Sequence, residues 1–329
     1  MRNQLFCFAL FLLTTLFGCG EKDATDPEVA TGYVPTLTAH FDSLKLPRTV
    51  IDGNTGEMSW SADDELLVFV HETGKQPATE AQWKSCRYRF VTDAEHCTKN
   101  EFRQESKGGQ RLRLDPEKSY DWYVMAPYAE RVTSPVGHGS FSISSQTLSF
   151  DNNTAHLGAK DIMTCTDRNV KAEENVTLAL RHLTTLMMFR VHNKLGTDLL
   201  PQQMEFETVG NPAATLAGEY AVDFEKGLRA IATSNKMELT LTEAKAIKPE
   251  GSFDVFAIMA PFALQPNDQF RIRVVTDKGS SLQTSTMRKT VTFRAGTINR
   301  ANVKVTAPAL NEDINPWENQ GEYDEVVPI

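Results

Sequence analysis

The segment Tyr120–Ala129 reads YDWYVMAPYA, and a related segment, Phe253–Ala263, reads FDVFAIMAPFA. Each copy is an aromatic-rich apolar run that ends at a proline. Proline cannot donate to a β-ladder, so each run is predicted to be a strand that stops at Pro127 or Pro261. The two prolines lie about 134 residues apart. A recurrence at this distance is explained by two similar β-sandwiches in tandem.

The rest of the chain also favours strands. Phe270–Val274 alternates apolar and basic residues, which places the two kinds of side chain on opposite faces of a strand. Similar short runs recur between Gly, Pro, Asn and Asp residues, as in sandwich proteins. Leu178–Met188 has an apolar rhythm that also fits a helix, but it continues into Phe189–Val191. We therefore predict one long strand there and an all-β fold.

Charge and length limit the function classes. The chain has 329 residues, 34 Lys and Arg against 43 Asp and Glu, and a formal net charge of −9. Nucleic-acid-binding proteins neutralise phosphates with clustered Lys and Arg, and no such cluster is visible. The composition argues against a nucleic-acid partner, and the length fits two domains.

The N-terminus has the features of a lipoprotein leader. Arg2 precedes an apolar run, Leu5–Phe17, which is too short for a transmembrane helix but has the length of a signal-peptide core. The run leads into Leu16-Phe17-Gly18-Cys19, a lipobox. We predict that residues 1–18 are removed and that acyl chains on Cys19 anchor the protein in outer-membrane lipid. The alternative is an ordinary signal peptide with an incidental cysteine.

Three further cysteines remain. Cys86 and Cys97 flank ten residues, a hairpin length, and an exported chain meets an oxidising compartment, so a Cys86–Cys97 disulfide is the preferred interpretation. Cys165 is then unpaired and is expected to be a buried thiol. No metal site and no cofactor are predicted, because paired Cys-x-x-Cys and His-Glu-x-x-His patterns are missing.

The sequence contains no catalytic constellation, so the protein is not predicted to be an enzyme. His182 lies in an apolar context and is expected to be a satisfied core histidine. Trp60 and Trp122 lie in strand contexts and are expected in the core. Trp83 and Trp317 are better candidates for exposure and for stacking on sugar rings. The alternative function is therefore a surface glycan-binding lipoprotein.

Several motifs, taken in order, carry a resemblance to a known family. After the lipobox come Arg48–Gly53 and Trp60-Ser61-Ala62-Asp63-Asp64, then the His182-containing segment Val176–Leu183, and finally Phe293–Gly296. This order resembles the fimbrillin superfamily of the Bacteroidales, the fimbrial and fimbrillin-like lipoproteins of type V pili. The resemblance implies two tandem transthyretin-like β-sandwich domains and a place in a surface fimbria.

The resemblance also implies a mode of assembly. In that family a trypsin-like protease cuts after Arg or Lys, the first strand leaves, and a strand from the next subunit fills the groove. Arg48 is the only Arg between Cys19 and Arg87, so the expected cut lies between Arg48 and Thr49. Tyr33–Phe41 is the expected removable strand. Implied partners are other fimbrial subunits and, at the cell surface, a host protein or a glycan. The alternative is an uncut anchor subunit.

The predicted organisation follows from these features. Residues 1–18 are the signal peptide, 19–48 the tether with the removable strand, 49–172 and 173–310 the two sandwiches, and 311–329 an acidic tail. The boundary is placed in a polar stretch near residues 168–176. The tail holds Trp317 but has few apolar residues at alternate positions. It is interpreted as a donor strand, a partner-binding segment or a frayed end.

Overall fold

The computed structural model describes residues 32–41, 60, 64–91, 100–105, 111–151, 154–306 and 327–328. Apart from a 3-10 turn at Glu80–Gln82, every regular element in this part of the chain is a strand, which confirms the all-β prediction. The strands are β1 (Thr36–Phe41), β2 (Glu65–Glu72), β3 (Ser85–Phe90), β4 (Glu101–Gln104), β5 (Ser119–Ala126), β6 (Val132–Ser134), β7 (His138–Gly139), β8 (Phe141–Ile143), β9 (Gln146–Ser149), β10 (Met163–Lys171), β11 (Asn175–His182), β12 (Thr185–Asn193), β13 (Pro201–Val209), β14 (Ala217–Asp223), β15 (Gly227–Ser234), β16 (Lys236–Thr242), β17 (Ser252–Met259), β18 (Phe262–Leu264), β19 (Gln269–Thr276), β20 (Gly279–Thr286), β21 (Val291–Phe293), β22 (Thr297–Val305) and β23 (Val327–Pro328).

The first sheet closes on itself. Its strand order is β1-β11-β10-β5-β2-β3-β4, and β4 pairs with β1 to complete the circuit. Alternate residues of each strand point inward into one apolar cluster, which includes Leu66 and Val68 of β2 and Trp122 and Val124 of β5. Burial of this cluster is the main stabilising contribution to the first half.

Both copies of the recurring segment form strands, β5 and β17, that end before their prolines as predicted. Their positions differ. β5 lies between β10 and β2 and is buried on both faces, with Trp122 in one cluster and Tyr123 in another. Among the described strands, β17 pairs with β12 alone, at the edge of its sheet. Burial on both faces explains why β5 is an unbroken apolar run without alternation.

The second half is a sandwich of two sheets, one ordered β17-β12-β22-β23 and the other β20-β19-β13-β16-β9. Alternating side chains fill the space between them. Aromatic rings stack through this core: the ring centroids of Phe189 and Phe206 are 4.7 Å apart, and those of Phe262 and Phe293 are 4.3 Å apart.

A third sheet, β15-β14-β8, packs between the halves. Phe224, just after β14, lies 6.0 Å from Phe69 of β2 between ring centroids, and Tyr220 and Val222 belong to the same buried cluster. Arg181 of β11 donates from Nη2 to the backbone oxygens of Phe224 at 2.8 Å and Glu225 at 2.6 Å. These contacts hold the β14–β15 hairpin against the first sheet.

Strand pairing crosses the predicted boundary at residue 172 in both directions. β11, beyond it, pairs with β1 and β10 of the first sheet, whereas β8 and β9, before it, pair with β14 and β16.

The single long strand predicted over Leu178–Met188 is wrong. The chain breaks at Leu183–Thr184 and continues as β12 in another sheet. Within the described residues, no helix is long and apolar enough to cross a membrane.

Candidate functional site: the groove held by the first strand

β1 is an N-terminal strand inserted between two neighbours. It runs parallel to β11, from Thr36 opposite Asn175 to Phe41 opposite Leu180, and antiparallel to β4, with Leu37 opposite Phe102. A strand therefore lies within the predicted segment Tyr33–Phe41 and closes the first sheet, whereas its removal stays a prediction. The preceding residue Tyr33 exchanges two backbone hydrogen bonds with Leu114, at 2.9 and 2.8 Å.

The inward side of β1 is apolar. Leu37 and Ala39 are both 0% exposed and belong to the core of the first sheet. Full burial of a leucine side chain stabilises a fold by about 1.5–3 kcal/mol relative to its exposure. Without β1, these two sites and the facing edges of β11 and β4 would be left without their strand.

The outward side of β1 is polar and hydrogen-bonded. Thr36 Oγ1 donates to the backbone oxygen of Glu174 at 3.1 Å, and Thr38 Oγ1 donates to Asn175 Oδ1 at 2.9 Å. His40 is exposed. These hydrogen bonds connect the strand to the start of β11.

Trp60 joins β1 to the part of the chain that follows the predicted cut. Its indole Nε1 donates to the backbone oxygen of Ala39 at 3.3 Å, and its ring is 6% exposed. The ring packs edge-on against Phe102, with 4.9 Å between centroids and 89° between planes. Trp60 and Trp122, at 0% exposed, lie in the core as predicted. The hydrogen bond from Trp60 to β1 had no signal in the sequence, because it depends on long-range packing.

The two sheets of the second half are joined in a different way, by glutamine side chains. Gln146 of β9 makes two hydrogen bonds with the backbone of Ile258 in β17. Gln283 of β20 accepts from the N–H of Lys304 in β22 at 3.1 Å and donates to the oxygen of Asn302 at 3.5 Å. Gln146 connects the edge strands β9 and β17, and Gln283 connects the edge strand β20 to β22 of the other sheet. Sequence reasoning missed both, because an isolated Gln in a strand resembles any surface residue.

The other predicted residues are placed as follows. Cys19, Arg48, Thr49, Cys97 and Trp317 lie outside the described residues, so the lipid site, the cut and the disulfide stay predictions. Cys86 is half-buried in β3, and burial raises the pKa of its thiol. Cys165 is buried, as expected.

The expected exposure of Trp83 is wrong. Trp83 is 9% exposed, because its ring packs edge-on against Phe69 at 6.0 Å and Tyr123 at 5.4 Å, and lies 5.3 Å from the His71 ring. It lines a cleft of about 550 Å³ with, among others, Glu80 and Thr133. Stacking of a sugar on Trp83 stays a prediction.

His182 is a core histidine, as expected. It is 9% exposed, and its Nδ1 lies 3.0 Å from Asp161 Oδ1, which also accepts from Thr184 Oγ1 at 2.6 Å. Its Nε2 has no hydrogen-bond partner among the described residues, so the histidine is buried as expected but only partly satisfied. Within the described ranges, no group of three or more His, Cys, Asp or Glu could hold a metal ion.

Comparison with known proteins agrees with this architecture. The sequence pattern of the family described as fimbrillin-like matches residues 48–317. The chain belongs to the fimbrillin-like family. No curated protein matches this fimbrillin-like chain in sequence.

Two solved structures show the same fold. A protein of Bacteroides ovatus assigned to cell adhesion is 18% identical, with a TM-score of 0.57 over 83% of this chain and 92% of that chain. A second protein assigned to cell adhesion, from Bacteroides uniformis, is 12% identical, with a TM-score of 0.50 over 75% of this chain and 88% of that chain. Both confirm the β-sandwich architecture of the fimbrillin-like chain.

Proposed function

We propose that the protein is a surface-exposed lipoprotein that acts as a fimbrial subunit or fimbria-associated adhesin and assembles by β-strand addition. Membership of the fimbrillin-like family supports a fimbrial or adhesive role. Two structurally similar proteins are assigned to cell adhesion, which is consistent with it. The partners are other fimbrial subunits and, through acylated Cys19, outer-membrane lipid.

The observation that carries the proposal is the position of β1. It is the first described strand, it precedes Arg48, and it closes the first sheet through ladders with both β11 and β4. A cut after Arg48 breaks the covalent link between β1 and the rest of the sheet. When β1 leaves, two strand edges and two apolar sites become available. An incoming strand restores both ladders and buries apolar side chains in those sites.

The glycan-binding alternative has less support from one of its two candidate residues. It named Trp83 and Trp317 as candidates for exposure, and the Trp83 ring is buried against Phe69 and Tyr123. Trp317 lies in the tail outside the described residues. A role in adhesion to a host protein or a glycan therefore stays within the fimbrial proposal.

An Arg48→Ala variant tests the proposal, with Lys45→Ala as the matched control on the same segment. Surface-assembled protein is isolated and its N-terminus is sequenced. We expect the native protein and the Lys45→Ala variant to start at Thr49. Both should form polymers that remain intact in gel electrophoresis when the sample is not heated. Arg48→Ala should retain Cys19 and form no polymers. Polymers that start at Cys19 would contradict the proposal.

A further inference from the structure

We propose that the groove held by β1 selects a strand with a large aliphatic side chain followed, two residues later, by alanine or glycine, and that Trp60 clamps the backbone of that strand. The inference rests on the proposed function and adds the sequence that the partner strand must carry. The incoming strand is called the donor strand below.

Among the side chains of β1 that the structure describes, two face the core, and their sites differ in size. The first holds Leu37, which lies opposite Val176 of β11 and Phe102 of β4. The second holds Ala39, opposite Leu178 of β11. Both residues are 0% exposed, so the structure around each is closed. Alternate residues of a strand share a face, so a donor strand that follows the path of β1 must fill these sites with residues two apart.

The second site is small because it holds only a methyl group in a closed core. Ala39 is 0% exposed and belongs to the same apolar cluster as Trp60, Phe90 and Phe102. Trp60 is held in this cluster by Phe102, at 4.9 Å between centroids, and by Phe90, at 6.5 Å. A side chain larger than methyl at this position would overpack the cluster, and overpacking a closed core is destabilising.

The outward positions impose a weaker requirement. Thr36 and Thr38 hydrogen-bond to the segment at the start of β11, and His40 is exposed. A polar residue at the Thr38 position, which is 9% exposed, can pair with Asn175, and the His40 position is open to water. Selectivity is therefore concentrated in the Leu37 and Ala39 sites.

Trp60 provides affinity that does not depend on the donor sequence. It follows Arg48 in the chain, so the body of the subunit keeps it after the cut. Its acceptor is a backbone oxygen, which every donor strand has. The indole N–H can therefore hold the donor strand as it holds β1.

Residues 307–329 do not meet this requirement if they enter the groove in the same chain direction as β1. Residues 307–329 contain Leu310, Ile314, Val326, Val327 and Ile329, and none is followed two positions later by Ala or Gly. A second copy of this chain therefore does not supply the matching strand through its tail. The partner is a different subunit whose donor strand carries the aliphatic–x–small pattern.

The uncut full chain gives the first test, through Ala39→Leu and the matched control His40→Leu. Both variants add a leucine to the same strand, one at the closed site and one at an exposed position. We expect Ala39→Leu alone to lower the midpoint of thermal unfolding. Equal midpoints for the two variants would overturn the small-site requirement without bearing on the cut at Arg48.

The second test measures peptide binding to the full chain after a cut. A recognition sequence for a site-specific protease is inserted after Arg48, the protein is cut, and fluorescent peptides are added. The peptides are residues 33–41, the same peptide with Ala39→Gly or Ala39→Leu, and residues 311–329. We expect the native and Gly peptides to bind and the Leu peptide to bind at least about tenfold more weakly. The tail peptide should not bind.

Each outcome tests one part of the proposal. If the native peptide does not bind, the proposed strand addition fails, whereas equal binding of the native and Leu peptides overturns only the selectivity. If the tail peptide bound as tightly as the native peptide, the partner would be a second copy of this chain. The assignment of a different subunit as the partner would then be overturned. Trp60→Phe keeps an aromatic ring but removes the N–H, and it should weaken every peptide about fivefold. Unchanged affinity in the Trp60→Phe variant would show that the indole N–H does not hold the donor strand.

Discussion

Gln146 pairs with both backbone groups of Ile258: its Nε2 donates to the Ile258 oxygen at 2.6 Å, and its Oε1 accepts from the Ile258 N–H at 3.0 Å. One side-chain amide thus takes the place of a neighbouring strand at the edge of β17. The first sheet is closed by the backbone of β1, which precedes a predicted cut, whereas this seam is closed by a side chain that no cut would remove. The two halves therefore differ in what can open them.

The Gln146–Ile258 pair predicts the effect of Gln146→Leu. Leucine has a similar volume but leaves the N–H and the oxygen of Ile258 buried without a partner, so the free energy of unfolding should fall by about 2–3 kcal/mol. Denaturant unfolding followed by circular dichroism measures the change. Gln202→Leu, on an exposed side chain, is the control. A loss no larger than that of the control would mean that the Gln146 bonds do not stabilise the seam.

Much of this fold could be predicted from the sequence, because its main signals are local. The apolar runs that end at Pro127 and Pro261 are strands β5 and β17, and β1 lies within the predicted segment Tyr33–Phe41. The break between β11 and β12 was missed, since both strands are apolar and nothing between them is a strong turn signal. The buried position of Trp83 depends on Phe69 and Tyr123, which are distant in sequence.

His156 predicts an acid sensitivity of the folded state. Its Nε2–H donates to the Phe256 oxygen at 2.9 Å, and its Nδ1 is buried without a partner. Burial lowers the pKa of His156 below its ordinary value of 6.5, despite the opposing effect of the bond to Phe256. Between the folded-state and unfolded-state pKa values of His156, the unfolded chain holds more protons than the folded protein. The contribution of neutral His156 to stability is therefore complete above about pH 6.5 and is lost as the pH falls.

The measurement is the pH dependence of the unfolding free energy in His156→Gln, which keeps a side-chain N–H donor but cannot titrate. We expect a shallower loss of stability below pH 6.5 than in the native protein. His40→Gln, on an exposed side chain, is the matched control and should keep the native slope. A His156→Gln slope equal to the native slope would show that another group carries the acid sensitivity.

The cysteines predict a redox effect on stability. If Cys86 and Cys97 are joined, peptide mapping without reduction should show them in one fragment, with Cys165 as a free thiol. A disulfide that closes such a short loop stabilises a fold by about 2–4 kcal/mol, so a reducing agent should lower the thermal midpoint. The double variant Cys86→Ser, Cys97→Ser should then be insensitive to the reducing agent. A native protein that carries three alkylatable thiols without prior reduction would contradict the pairing.

The contact between Arg181 and the end of β14 predicts how firmly the halves are joined. Arg181 Nη2 donates to the oxygens of both Phe224 and Glu225, and it holds the turn of the β14–β15 hairpin on the first sheet. Arg181→Met keeps much of the side-chain length but removes both bonds. Hydrogen bonds from a charged donor contribute about 1.5–3 kcal/mol, and the partial exposure of this group places the expected loss at the lower end of that range.

Hydrogen exchange detects this loss locally. In Arg181→Met, amides in residues 220–228 should exchange faster, because the hairpin detaches more often, while exchange in β5 should stay unchanged. Arg229→Met, which removes an exposed Arg on the same hairpin, is the control. Equal exchange in the two variants would show that packing of Phe224 against Phe69 alone holds the hairpin. Faster exchange throughout the chain would mean that Arg181 supports the first sheet as a whole rather than the junction.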